Sequence, residues 1–158
     1  MAWKIQVTHA PQPRKPYVSM IAWILAGVMV AMLLLHLVRI DTLIPVIAGI
    51  VPATAAAWFV TLIVIIELLA LPYLLRIKLS PLFRVISGAL VVAAPLIWLC
   101  FTIWAYGAES STGQFSSYVQ TPGSWWLIVL NMAWLAGSYW LLWLLRFDES
   151  VRSLRKRS

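Results

Sequence analysis

The sequence predicts an all-α integral membrane protein: a four-helix bundle with both termini on the cytoplasmic side and a short interfacial or re-entrant segment after the first span. Three observations carry this. Of 158 residues, 63% are hydrophobic and 11% charged, which is more apolar side chain than one small soluble core can hide. Four apolar runs are each long enough to cross a bilayer, about 20 residues for a helix. Eleven of the twelve basic residues fall on one side of those runs. A chain this short and this apolar leaves no room for a separate soluble domain, so residues 1–158 are expected to form a single membrane domain.

The first run, Tyr17 to Val38, ends at Arg39 and Asp41. It is too long for the apolar region of a cleavable signal peptide and no small-residue cleavage site follows, so it is expected to stay on the chain. After it, Pro45 and Pro52 interrupt helix and Gly49 loosens it, which makes Leu43 to Val51 an interfacial or re-entrant piece packed on the outer part of the bundle. The second span runs from about Thr54 to Leu75. The third covers Leu82 to Tyr106, with a kink expected at Pro95, and the fourth covers Ser124 to Leu145. Between the last two lies a polar, Gly/Ser-rich loop, read as solvated. No internal repeat is visible.

Charge placement sets the orientation. Lys4, Arg14 and Lys15 precede the first span; Arg76, Lys78 and Arg84 sit between the second and third; Arg146, Arg152, Arg155, Lys156 and Arg157 follow the fourth. The positive-inside rule puts these in the cytoplasm and Arg39 opposite. The net charge of +7 is therefore a matter of orientation and of contact with anionic lipid on the cytoplasmic face, not of nucleic-acid binding. Trp125, Trp126, Trp104, Tyr106, Trp143 and Tyr73 fit interfacial anchoring, while Trp98 and Trp134 fall deeper and are expected in the packed core. Small residues at Ala22/Ala26, Gly27/Ala31 and Ala133/Gly137 offer close helix approach.

Most catalytic chemistry is excluded. One cysteine, Cys100, can neither form an internal disulfide nor run a dithiol relay, and is expected to be an apolar filler. With His36 the only histidine in a span, a bis-histidine haem is excluded unless a partner supplies a ligand. No zinc-protease, nucleophile-elbow or P-loop motif occurs. No metal site and no cofactor are expected, beyond a quinone or lipid between helices.

What remains is "IVIIELLALPYLL", where Glu67 is a lone carboxylate in apolar surroundings. An acidic group at a helix centre costs roughly 2.5–3.5 kcal/mol, so Glu67 is expected to face the bundle interior, protonated and hydrogen-bonded. Counting about 1.5 Å per residue from the cytoplasmic end places Ser138 and Tyr139 of the fourth span and Ser87 of the third at its depth, as its partners. His36, Asn131 and Thr102 count to an outer polar layer, with His36 close enough to Arg39 to reach interfacial water.

The order of four spans, the irregular apolar stretch after the first, and a second span "LIVIIELLALPYLL" followed by the basic turn "RIKLSPLFR" resemble the DoxX/MauE-like small membrane proteins. In that family a glutamate commonly sits in the second span, and Glu67 matches it. The resemblance implies a four-helix bundle associated with membrane redox or terminal-oxidase machinery. A paired cysteine motif is lacking here, so a thiol-redox role is not carried over. The expectation that follows is a non-catalytic accessory protein of a bacterial-type inner membrane, partnered by other membrane subunits or by a second copy. The alternative is a dimeric proton-coupled carrier in which Glu67 exchanges a proton for a cation.

Overall fold

The computed structural model of the chain describes residues 13, 15–38, 40–108, 125–147, 149 and 151–152. Among the described residues it contains five helices: α1 (Val18–Val38), α2 (Ile40–Ala48), α3 (Ala53–Leu74), α4 (Pro81–Gly107) and α5 (Trp125–Leu144). Four of them, of 21, 22, 27 and 20 residues, are long and apolar enough to cross a membrane. At about 1.5 Å per residue each reaches about 30 Å or more, the thickness of a hydrocarbon core. Their limits agree within one residue with the apolar runs.

The segment after the first span differs. Helix begins at Ile40, three residues earlier than the expected irregular piece, and runs through Pro45 without ending there. Proline forgoes only its own N–H bond, to the Asp41 carbonyl, and the short helix closes instead in a turn where Gly49, Ile50 and Val51 donate to Val46 and Ile47. Pro95 likewise sits inside a continuous α4.

Two helices stop sharply at one end of the bundle, and both use arginine where glycine is usual. At the end of α3, Arg76 has φ 55°; its N–H donates to the Tyr73 carbonyl and that of Ile77 to Pro72, both at 3.1 Å. This is the Schellman arrangement with Arg at the left-handed position. Arg146, φ 58°, takes the same left-handed position after α5, its N–H donating to the Trp143 carbonyl. A basic side chain there complements the carboxyl end of the helix dipole and extends to the interface. At the same end Ser80 caps α4, its hydroxyl accepting from Phe83 N–H, with Pro81 in the first helical position.

Arg76 Nη1 donates to Ser19 Oγ at 2.9 Å, tying the end of α3 to the start of α1. Arg76 and Arg84 line one small cavity together with Leu145 of the segment after α5. The basic residues near the start of α1, the α3–α4 turn and the end of α5 thus gather at one end, called here the basic end.

Packing runs α1 on α3, α3 on α4 and α4 on α5, each pair antiparallel, with α2 lying on α3 and α1 touching α5 sparingly. Two apolar clusters fill the interior. At the basic end Val18, Ala22, Ala26 and Met29 meet Ala70, Leu74, Val91, Ala94, Leu141 and Leu145. At the opposite end Met32, Leu43, Ile47, Ala56, Val60, Ile63 and Trp98 form the second, with Trp134 packed against both. Ala22, Ala26, Ala56, Ala70, Ala94 and Ala105 are all buried, because small side chains let helix backbones approach where lipid offers no hydrophobic drive. Trp23, Trp58, Leu62 and Leu68 point outward into what a bilayer would fill.

The small-residue expectation holds for Ala22 and Ala26 only. Gly27, Ala31 and Ala133 are exposed, and a Cβ at Gly27 or Gly137 would meet nothing within 4 Å. Helices that pack on just one or two neighbours leave those faces turned outward. Cys100 is also exposed, on the face of α4 that flanks α3, and is no core filler.

One helix-to-helix contact repairs the backbone of α3. Pro72 carries no N–H, and beside it the Ser87 hydroxyl of α4 donates to the Leu69 carbonyl at 2.6 Å and accepts from Tyr73 N–H at 3.1 Å. These are the two groups that the helical ladder would join directly, so the hydroxyl bridges them across the proline.

Candidate functional site

Glu67 lies on the inward face of α3 and is 1% exposed. Both its oxygens are engaged. The Trp98 indole N–H of α4 donates to Oε1 at 2.9 Å. His36 Nδ1 of α1 lies 2.9 Å from Oε2, a bond in which the two groups share a proton: either the imidazole N–H donates to the carboxylate or the carboxyl O–H donates to the ring nitrogen. The His36 and Trp98 rings stack, centroids 5.0 Å apart and 24° from parallel. Phe101 then meets the indole edge-on at 5.9 Å. Three helices are therefore joined through one carboxyl group, with His36 itself 1% and Trp98 0% exposed.

This corrects the sequence reading of the site. Ser87, at 0% exposure, serves the α3 backbone rather than Glu67. Ser138 is buried on α5, a helix that packs on α4 rather than α3. Tyr139 is 72% exposed on the outward face of α5. His36 is not at interfacial water but in the core beside Glu67.

The reason is side-chain direction. Helical side chains lean toward their own N-terminus. Ser87 faces Ala70 across the α3–α4 contact, and from there Trp98 lies eleven residues and Glu67 three toward the far end. The backbones are thus offset by eight residues, about 12 Å. In antiparallel helices the long Trp98 side chain leans back toward the basic end while Glu67 leans away from it, so their tips meet between the two levels. His36, on α1, leans toward the basic end as Trp98 does. A depth count on backbones misses both bonds to Glu67.

Asn131 and Thr102 are brought together. Asn131 Nδ2 donates to Thr102 Oγ1 and to the Leu127 carbonyl, each at 3.0 Å, while Thr102 donates to the Trp98 carbonyl at 2.7 Å. This bond ties α5 to α4 one turn beyond Trp98. Asn131 and Thr102 thus pair in the outer layer, while His36 bonds Glu67.

Trp98 is the site residue that the sequence placed only in the core. The available signal was chemical: a membrane-buried carboxyl group needs hydrogen-bond partners, and indole and imidazole are among the donors of long reach that these spans offer. Among the described residues, no group of three or more histidine, cysteine, aspartate or glutamate side chains is placed to hold a metal ion.

Two grooves open on the outward faces. One, about 320 Å³ between α3 and α4, is lined by Phe59, Leu62, Ile66, Leu96, Cys100 and Phe101 among others. The second, about 440 Å³ between α4 and α5, is lined by Ala89, Val92, Tyr139, Leu142, Trp143 and Phe147. Phe101, which lines the first groove, meets the Trp98 indole of the Glu67 cluster edge-on. No family model, curated protein or solved structure matches this chain.

Proposed function

We propose that the protein is a non-catalytic accessory or interaction protein of a membrane complex, a polytopic scaffold of a bacterial-type inner membrane whose outward faces are its working surfaces. The observation that carries this reading is that the membrane acid is consumed in a dry interhelical clasp: both Glu67 oxygens are bonded and the group is 1% exposed. Such a group orders helices and has no room for a substrate. Only about a third of the residues in each span's most apolar window are buried within the chain, leaving wide apolar faces for lipid or neighbouring subunits. The α3–α4 groove is in the size range of ligand pockets, but its lining gives a quinone's carbonyls no N–H or O–H to bond. It suits an acyl or isoprenoid chain rather than a head group. The resemblance to DoxX/MauE-like proteins points the same way.

Native mass spectrometry of protein extracted gently from its own membrane tests the proposal. Stoichiometric association with other membrane subunits is expected. A lone homodimer that moves protons after reconstitution would overturn it.

One observation favours the carrier as the second reading: an imidazole and a carboxyl group share a proton inside a membrane-spanning bundle. On that reading Glu67→Gln abolishes proton-coupled transport in proteoliposomes, because an amide cannot release the proton.

A further inference from the structure

The groove between α4 and α5 lies in the half of the bundle toward the basic end. Tyr139 and Trp143 stand on α5 within two turns of its end, four residues apart and therefore on one edge. They are 72% and 53% exposed. Across from them α4 offers only Ala89 and Val92, so the groove has one tall aromatic side and one low side. Phe147 stands at its basic end. After the left-handed Arg146, the Phe147 ring lies against the α4 backbone at Gly88, where a Cβ would overlap it, and Tyr73 of α3 meets the ring edge-on at 5.8 Å. Residues of three helices thus fix the groove, whose volume of about 440 Å³ is in the range of ligand pockets, about 300–1,000 Å³.

Two features select its occupant. A further membrane helix needs small residues on the receiving face for close backbone approach, and the outstanding Tyr139 and Trp143 hold a helix off. A single acyl chain is slim enough to lie beside them. Charge then selects the head group. Before α1, around the α3–α4 turn and after α5 the sequence holds eleven basic residues against two acidic ones, Asp148 and Glu149; on the other side Arg39 stands against Asp41 and Glu109. Arg146 adjoins Phe147 in the chain, and its pair with Glu149 leaves the two side chains 42% and 38% exposed. So exposed a pair is weak, whereas a guanidinium binds a phosphate through two parallel N–H bonds. We propose that the α4–α5 groove is the site of one anionic phospholipid from the leaflet at the basic end, an acyl chain lying along Tyr139 and Trp143 and the phosphate at Arg146. This goes beyond the accessory role and fails or holds separately from it.

The test is native mass spectrometry of the protein in detergent micelles, titrated with dioleoyl phosphatidylglycerol or with dioleoyl phosphatidylcholine, which differ in the head group alone. One phosphatidylglycerol per chain is expected, held at least about fivefold more tightly than phosphatidylcholine, the effect of about one basic residue at a charged surface. Ala89→Phe, which fills the groove from an exposed position, should weaken the binding of both lipids. Leu96→Phe, in the α3–α4 groove toward the other end, should change neither. Arg146→Gln should bring the two lipids to equal affinity while leaving that for phosphatidylcholine as it was. Equal affinities in the parent, a phosphatidylglycerol affinity unmoved by Ale89→Phe or moved as much by Leu96→Phe, or a preference that survives Arg146→Gln each overturns the site. So does a dimer that forms without lipid and that Ala89→Phe dissociates, because the groove would then hold a second copy of the chain.

Discussion

Replacing Glu67 by leucine should remove the joint between three helices while leaving its volume nearly filled. The structure gives the loss directly: the Trp98 indole N–H and the His36 ring nitrogen each lose a partner that sits 2.9 Å away. A buried polar group left unpaired costs about 1–3 kcal/mol in soluble proteins, which would total about 2–6 kcal/mol. Interhelical bonds in membranes measure lower, averaging about 0.6 and reaching about 1.7 kcal/mol, because the unfolded chain in lipid also finds partners. The membrane scale governs here, so Glu67→Leu is expected to cost about 1–3 kcal/mol. Glu67→Gln should lie within about 0.5 kcal/mol of the parent, its amide oxygen accepting from Trp98 and its NH₂ donating to His36. Reversible unfolding in mixed micelles, followed by helicity and by tryptophan fluorescence, measures both. Glu67→Leu combined with Trp98→Phe should cost less than the two changes summed, since one bond is counted twice. A leucine variant as stable as the parent would refute the clasp. Glutamine as damaging as leucine would show that the charge, and not the pair of bonds, is what the bundle requires.

Glu67→Asp retains the acid but shortens its reach by one methylene, so it should lose at least one of the two bonds and be less stable than Glu67→Gln; equal stability of Asp and Glu in the same unfolding assay would contradict the offset between helices. At Gly88 a Cβ would overlap the Phe147 ring. Gly88→Ala should therefore displace that ring at about 1–3 kcal/mol, and adding Phe147→Ala should recover much of the loss. Arg146→Gly removes a left-handed arginine, strained by about 1–2 kcal/mol, at the expense of an ion pair to Glu149 in which both side chains are about 40% exposed. A more flexible unfolded chain and the lost pair offset part of the gain, leaving a melting temperature equal to or above the parent's; a clear drop would mean the arginine holds more than a turn. Single cysteines at Lys78 and Gly107, both exposed at opposite ends of α4, in a Cys100→Ser background, should react with an impermeant maleimide from opposite sides of the membrane, Lys78→Cys from the cytoplasmic side. Labelling of both from one side would break the four-span topology.

The spans were legible because length and apolarity are enough to define them: a helix dissolved in lipid needs no inward pattern, so an unbroken apolar run marks its limits directly. The same property hid the packing. Trp23 and Ala22 are neighbours in one apolar run, yet one is 60% exposed and the other fully buried. With both faces apolar, nothing in the sequence says which is which. Gly27/Ala31 and Ala22/Ala26 offer equivalent spacings, and only the second pair meets another helix. The helical course of α2 through Pro45 was likewise illegible, because a proline that forgoes one bond reads the same as one that ends a helix.

The polar contacts failed to appear in the sequence for a different reason, and that reason also accounts for the composition of the site. In an antiparallel pair, residues at one depth lean away from a common level, each toward its own N-terminus. Short side chains can bridge such neighbours only where the backbones already lie alongside, as Ser87 does with Leu69 and Tyr73, or Thr102 with Asn131. To join residues whose backbones are offset by about 12 Å, the tips must be carried toward each other, which takes side chains of the reach of tryptophan, histidine and glutamate. A serine at the depth of Glu67 is thus a poor partner for it on geometry alone, and a tryptophan two turns farther along is a good one. The correct ruler for such a bundle is the position of the side-chain tip, shifted toward the N-terminus of each helix by an amount that grows with side-chain length. Measured so, Glu67, His36 and Trp98 fall in one layer.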